Sequence, residues 1–348
     1  MGEQWTAEAL MEMVRGFHPA CVLIAAAELD VFTCLHGRPK SAADLAALIR
    51  ADHRATAVLL DALTAMRLLA KREGVYEVPA DVAELLTETG ARCTLGMVRH
   101  LGNCLRRWGQ LARVVQTGRP VESEVSVRGA EADLASFIRA MHEVSDPVAA
   151  TLVASLGPLS FHHLLDIGGA SGTWTVPFLR LHPAGTATIF DLPDVIPMAE
   201  SLLTNAGLRG RVRLVPGNFC TDTLPGGADL AWVSAIVHQN SREQNRELFG
   251  KVFAALAPHG RILIRDFVMD DIRTNPPAGA FFAVNMLVST PGGGTFTFGE
   301  LRDDLAAAGF TDAALLRRGE GMDSVVCATK RDQDGARDSP RPHMTDFS

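Results

Sequence analysis

Two stretches of this chain have residue types at a spacing that suits ligand chemistry. The first is Leu164-Leu165-Asp166-Ile167-Gly168-Gly169-Ala170-Ser171-Gly172, an apolar run ending in an acid and small residues before Trp174 and Val176 open a helical pattern. It reads as strand, glycine turn and helix. Glycine lacks a Cβ and tolerates positive φ, so such a turn lets backbone amides approach a ligand, and the helix N-terminus adds donors. The second is Thr186-Ala187-Thr188-Ile189-Phe190-Asp191, a β-rich run whose acid falls nineteen residues after Gly172, where a second strand would present it to ribose hydroxyls. Together they outline a nucleoside pocket, although an ordinary βα turn with chance glycines would look alike in isolation. A dinucleotide fingerprint starting at Gly168 would need glycines at 170 and 173, and Ala170 and Thr173 stand there. Two later stretches, Gly217-Asn218-Phe219-Cys220 and Ser234 to Asn240 with His238, follow a third and a fourth strand at the carboxyl edge where doubly wound folds bind ligands.

The first stretch resembles motif I of class I S-adenosylmethionine-dependent methyltransferases, Asp-x-Gly-Gly-x-x-Gly. The chain from about Glu8 to Thr329 resembles a narrower group, the small-molecule O-methyltransferases of the caffeic acid and hydroxyindole type. The resemblance implies that Asp166, Gly168, Gly172 and Asp191 hold S-adenosylmethionine, with S-adenosylhomocysteine as product. It also implies that Asn218 meets the adenine amine and Phe219 flanks the ring. Asn218 replaces the family's acid, but an amide oxygen still accepts a hydrogen bond. Ser234 to Asn240 resembles the Leu-His-Asp-Trp motif, which makes His238 the general base for a phenolic proton. The chemistry suits it, because a phenol of pKa about 10 is a weak nucleophile and imidazole titrates in the working range.

The same resemblance makes Asp266, in Ile264-Arg265-Asp266, the acid that orients His238. Four positions depart from the family: Gln239 for the acid after the histidine, Asn240 for the tryptophan, Thr295 for a second orienting acid, and Ser234 for a basic residue. A weaker base is implied. Either the acceptor hydroxyl is already acidic, or proximity and orientation carry much of the rate. Phe282, Asn285 and Met286 share one helical face, as i, i+3 and i+4 neighbours do. Core packing is the plain reading of that face, and of Met141 and His142 on an earlier helix; the resemblance makes all five substrate-pocket residues. The implied activity is methyl transfer to a small aromatic or polycyclic hydroxyl compound. One alternative keeps the fold and cofactor but runs hydroxylation, decarboxylation or pericyclic chemistry; another is a ligand-sensing DNA-binding protein.

The elements that would position these residues read as follows. Residues 6–69 carry helical periodicity, with Ser41 as an N-cap and Asp44 three residues on, then helices over 42–48 and 54–69 and a hairpin over 71–78 turning at Gly74. Helices followed by a wing make a winged helix, here expected to dimerise. The 55–66 segment offers Ala, Thr, Leu and Asp rather than the Arg, Lys, Asn or Gln that read bases. Helices are expected over 95–116, with Trp108 and Leu111 on one face, and over 132–156. Beyond 158, strands and helices alternate regularly and close with two strands that have no room for a crossover helix between them. The expected fold is α/β: a Rossmann-like seven-stranded sheet with one antiparallel strand, behind an N-terminal winged-helix dimerisation domain. Its domains are 1–90, a helical pocket wall over 91–157, a catalytic domain over 158–331, and a disordered tail over 332–348.

Composition fits this. The 348 residues are 47% hydrophobic and 21% charged, with a formal charge of −7, which disfavours a nucleic-acid partner. The six cysteines are scattered without metal-type spacing, so free thiols, no metal and a cytoplasmic location are expected. The first residues lack the basic and apolar regions of a secretory signal, and the apolar stretch over 20–34 is interrupted by Glu28 and Asp30, so no membrane association is expected.

Overall fold

The computed structural model describes residues 4–122 and 124–331; the tail expected to be disordered, 332–348, lies outside the described residues. The chain divides into two compact units, 1–148 and 149 onward. The first contains α1 (Ala7–Arg15), α2 (Phe17–Glu28), α3 (Val31–Leu35), β1 (Lys40–Ser41), α4 (Ala42–Ile49), α5 (His53–Ala65), β2 (Ala70–Arg72), β3 (Val75–Glu77), α6 (Ala80–Leu86), α7 (Leu95–Trp108) and α8 (Leu111–Thr117). The boundary between the units falls within α9 (Ala130–Ser155).

Local signals set these elements. Ser41 Oγ accepts from the Asp44 amide at 3.1 Å and starts α4, and Asp52 accepts from the Ala55 amide at 2.8 Å and starts α5. β2 and β3 join at Glu73-Gly74, and β1 adds to β3, giving the order β1-β3-β2 of a wing. Tyr76 Oη donates to Asp61 at 2.8 Å, which ties the wing to α5 above a core of Phe32, Leu35, Leu45, Leu60 and Leu63.

Two helices are shorter than their periodicity suggests. The one expected over 54–69 stops at Ala65, because Arg67 takes φ +60° and turns the chain into β2. The one expected over 95–116 is two helices parted at Gly109-Gln110, so Trp108 ends one and Leu111 begins the next rather than sharing a face. The exposed positions of α5 include Arg54, Val58 and Asp61, the last paired with Lys71. The helical stretch Ala7–Glu28, with a mean hydropathy of 1.3, is long and apolar enough to cross a bilayer by length and composition alone. It carries Glu8, Glu12 and Arg15, and α1 buries none of its residues within its own unit, leaving Leu10, Met11, Met13 and Val14 exposed.

The second unit runs β4 (His163–Ile167), α10 (Thr175–Leu181), β5 (Thr186–Asp191), α11 (Ile196–Asn205), β6 (Val212–Pro216), β7 (Ala228–Ser234), α12 (Arg242–Ala255), β8 (Leu256–Asp266), β9 (Val268–Met269), α13 (Pro277–Ser289), β10 (Phe296–Thr297), α14 (Phe298–Ala307), β11 (Phe310–Arg317) and β12 (Ser324–Lys330). The seven-stranded sheet has the order β11-β12-β8-β7-β4-β5-β6. β12 lies antiparallel between β8 and β11, while β8, β7, β4, β5 and β6 are parallel. The closing hairpin thus puts one reversed strand into the sheet, as its short connection requires. Leu164, Leu165 and Ile167 of β4 are fully buried, as both faces of a covered parallel strand must be. Each contributes about 1.5–3 kcal/mol relative to exposure. Burying the central strands fixes their carboxyl ends in space, and the candidate residues stand there.

Candidate active site

Motif I follows β4. Gly168 has φ +65°, and a Cβ there would stand 2.5 Å from Ile236 Cδ1, so only glycine keeps this turn tight against the end of β7. Its amide donates to the Phe190 carbonyl at 2.9 Å, which ties the turn to β5. Gly172 lies in the same loop, just before α10. Asp191, half-buried at the end of β5, accepts from the Ala170 amide through Oδ2 and from the Leu192 amide through Oδ1, both at 2.7 Å. Burial pushes its pKa up, against the two amides that lower it. Each oxygen still has a lone pair for a hydroxyl.

Asp166 faces the interior, 1% exposed, and accepts from Thr175 Oγ1 at 2.6 Å. Burial, opposed by that hydrogen bond and aided by the charge of Asp191, pushes its pKa up to about 7. The unfolded chain ionises this aspartate near 4. With respect to this group stability is therefore full below pH 4 and falls as pH rises to about 7, by about 4 kcal/mol in all. We expect Asp166→Asn to be more stable than the wild type at pH 8 and to lose this slope, read as urea midpoints at pH 5 and pH 8. The same slope in both proteins would assign the titration to another group.

Beyond β6, Asn218 and Phe219 are half-buried. Asn218 Oδ1 accepts from the Cys220 amide at 2.9 Å and its own amide donates to Asp222 at 2.8 Å. The side chain therefore shapes its own turn, and a second lone pair on Oδ1 remains for a ligand. Together the glycine cradle, the backbone-locked carboxylate and the half-buried ring fit an adenosine-bearing group such as S-adenosylmethionine.

His238 sits on a 3₁₀ turn, Val237–Gln239, that continues β7. It is 6% exposed, and its Nδ1 lies 2.8 Å from Asp266 Oδ2 and 3.0 Å from Oδ1. Asp266 ends β8 and also accepts from the Phe267 amide at 2.8 Å. The carboxylate makes Nδ1 the protonated nitrogen, so Nε2 is the bare acceptor, with no hydrogen-bond partner among the described residues. The Phe282 ring meets the imidazole edge to face, with centroids 4.7 Å apart.

Several residues that the sequence does not single out hold this turn. Asn245, fully buried, donates to the Val237 carbonyl at 2.9 Å and accepts from Asn240 Nδ2 at 3.0 Å. So Asn240, standing where the family has tryptophan, braces the turn from within. Gly294 donates to the His238 carbonyl at 2.9 Å, and a Cβ on Gly293 would collide with that carbonyl oxygen. A capping box between Ser241 and Gln244 starts α12 directly after the turn. Gln239 is exposed and its Nε2 donates to the Ala235 carbonyl, and Thr295 brings no charge to the site.

Arg265 escaped the sequence reading, although a charged pair ending an apolar strand was its signal. Its Nη1 donates to Ser234 Oγ at 3.0 Å. The position that lacks a basic side chain on β7 thus receives a cation from β8. On α13, Met286 is buried while Phe282 and Asn285 are half-buried. Met141 and His142 are half-buried on α9, in the unit that does not carry His238. A shallow groove of about 550 Å³ lined by His163, Thr186, Arg211 and Arg213 lies at the opposite, amino edge of the sheet, away from all of these. Among the described residues no group of three or more His, Cys, Asp or Glu could hold a metal, and all six cysteines are free.

Comparison with known proteins shows the family. The profile of the O-methyltransferase domain matches residues 108–311, and that of the O-methyltransferase dimerisation domain matches residues 11–89, which implies a homodimer. The tetracenomycin polyketide synthesis 8-O-methyl transferase TcmO of Streptomyces glaucescens is 31% identical over 310 residues, 87% of this chain and 91% of the relative. The 3-hydroxy-5-methyl-1-naphthoate 3-O-methyltransferase of Streptomyces sahachiroi is 28% identical over 92% of this chain and 94% of its own. The crystal structure of human N-acetylserotonin methyltransferase, in complex with S-adenosylmethionine, superposes with a TM-score of 0.75 at 26% identity, covering 95% of this chain and 100% of that one. The chain belongs to the small-molecule O-methyltransferase family, an α/β methyltransferase core behind the family's N-terminal dimerisation domain.

Proposed function

We propose that this enzyme transfers a methyl group from S-adenosylmethionine to a hydroxyl of a small aromatic or polycyclic compound, with His238 as general base and Asp266 as the group that orients it. The observation that carries the reading is the His238 Nδ1 to Asp266 contact at 2.8 Å, which leaves Nε2 basic at the carboxyl edge of the sheet. In this reading the turn over Gly168 and Gly172, with Asp166 behind it, cradles the cofactor, Asp191 takes the ribose hydroxyls, and Asn218 and Phe219 hold the adenine. When bound, the cofactor supplies a methyl group activated on a sulfonium.

The protein does the rest. Phe282, already packed on the imidazole, and Asn285 and Met286 on the same helix orient the acceptor's ring. Nε2 of His238 takes the hydroxyl proton as the oxygen attacks, and Asp266 stabilises the imidazolium that forms. Because Thr295 adds no second carboxylate, we expect an acceptor hydroxyl acidified by its ring system, with orientation contributing several kcal/mol. A polyketide or naphthoate acceptor, as the names of the two Streptomyces relatives indicate for those proteins, has that character. The exposed apolar residues of α1 suit the homodimer, and a cytoplasmic location belongs to the same proposal.

Incubation with methyl-labelled S-adenosylmethionine and a panel of phenols, hydroxyindoles, quinols and hydroxylated polyketides tests this. Labelled organic product appearing in step with S-adenosylhomocysteine is expected. Loss of an acceptor without S-adenosylhomocysteine would mean that the cofactor serves another chemistry.

A further inference from the structure

Arg265 is a buried cation with no ion pair among the described residues. Its side chain is buried, 7% exposed, on a strand flanked on both sides, opposite Ser234 of β7 and Val325 of β12. The guanidinium lies over the Trp174 ring, 4.3 Å from its centroid. Nη1 has Ser234 Oγ, but Nε is buried with no hydrogen-bond partner. No carboxylate among the described residues lies within ion-pair distance of it: Asp266 is paired with His238, and Asp323 with Arg317. Burial lowers its pKa to about 10, still well above neutrality, so the group remains a cation. A buried, unpaired guanidinium is expensive to keep, and its planar fork suits a carboxylate.

Position says which carboxylate. Successive strand residues point to opposite faces. Asp266 faces His238 and Phe282, where the acceptor hydroxyl must arrive. Arg265 faces Trp174, which follows the motif I turn by two residues and caps α10. The Asp191 carboxylate already stands by that turn, clasped to the Ala170 amide, so an anionic ligand group there needs a counter-charge.

We propose that Arg265 binds the carboxylate of the cofactor's methionine arm, a role that rests on the cofactor reading above. The cation comes from β8 and reaches across to β7, with Ser234 as its rest.

Calorimetry on the full chain tests this with two ligands, S-adenosylhomocysteine and 5′-methylthioadenosine, which lacks the amino-acid arm. Arg265→Met should weaken S-adenosylhomocysteine by about 10- to 100-fold, the loss of a charged hydrogen-bonded pair. It should leave methylthioadenosine within about 2-fold, and the melting temperature of the ligand-free protein should hold or rise, because an unpaired buried charge is gone. Arg265→Lys keeps the charge without the fork and should show a smaller loss of the same selectivity; it carries the comparison if the methionine variant does not fold. Equal losses for both ligands, or none for S-adenosylhomocysteine, would overturn the proposal. A raised KM for carboxylated acceptors with unchanged cofactor affinity would give the cation to the acceptor instead. A wild type that binds neither ligand would overturn the cofactor reading itself, whereas equal wild-type affinity for both would remove only Arg265.

Discussion

Replacing His238 with glutamine should lower turnover on an acceptor that is un-ionised at the assay pH by about 10²-fold or more, while leaving cofactor affinity within a few-fold, because glutamine fills the site but cannot take a proton. The geometry makes the loss specific. The imidazole is held by Asp266 on one nitrogen and by Phe282 on its edge, so a glutamine amide keeps the packing and loses only the chemistry. The acceptor's own acidity supplies the control. For a phenol of pKa about 10 the base must remove the proton during the reaction, whereas a hydroxyl already ionised at the assay pH needs no base. The penalty should therefore shrink to a few-fold for an acceptor whose pKa lies below the assay pH. Asp266→Asn should follow the same pattern, because an amide nitrogen turned toward Nδ1 would favour the tautomer with the proton on Nε2. Steady-state rates for wild type and variants across phenols of graded acidity decide the matter. A glutamine variant within a few-fold of wild type on the least acidic phenol would leave orientation alone as the source of rate.

The sequence made some parts of this arrangement legible and hid others for physical reasons. Motif I could be read because its parts are local: an apolar strand, an acid and a glycine turn lie within nine residues, and the positive φ of Gly168 strains any side chain there. The reversed strand β12 was legible because too few residues precede it to build a crossover. The break at Gly109 was not, since Leu95 to Trp108 and Leu111 to Thr117 each keep helical apolar spacing and only the local backbone parts them. Nor was the bracing of the His238 turn. Asn245 reaches Val237 across eight residues, and Gly294 comes from beyond α13. Such contacts depend on which loops the tertiary fold brings to one strand end, and no spacing in the chain records that. Asn218 adds a detail that spacing does not show: its amide oxygen spends one lone pair on the Cys220 amide and keeps the other for a ligand.

Replacing Asp191 with alanine should weaken cofactor binding by about 10²-fold, the loss of up to two charge-assisted hydrogen bonds worth about 1.5–3 kcal/mol each before compensation. The carboxylate is aimed by the backbone, with one amide on each oxygen at 2.7 Å, so it reaches a ribose without reorganising. The alanine variant also leaves those amides without a protein acceptor, so melting temperatures must be compared beside affinities. Asp191→Asn separates the effects: it keeps one acceptor oxygen but turns an NH2 toward a backbone N–H, so binding should fall almost as far while the side-chain volume is kept. pH provides a second reading. Burial holds this carboxyl above its ordinary pKa, and only the ionised form accepts from two amides and two hydroxyls together. Affinity for S-adenosylhomocysteine should therefore weaken on acidification in the wild type, and the dependence should be flatter in Asp191→Ala. Calorimetric titrations at several pH values check both statements. An alanine variant that binds as the wild type does would take Asp191 out of the ribose site and leave its two amide contacts as a purely structural clasp on the motif I turn.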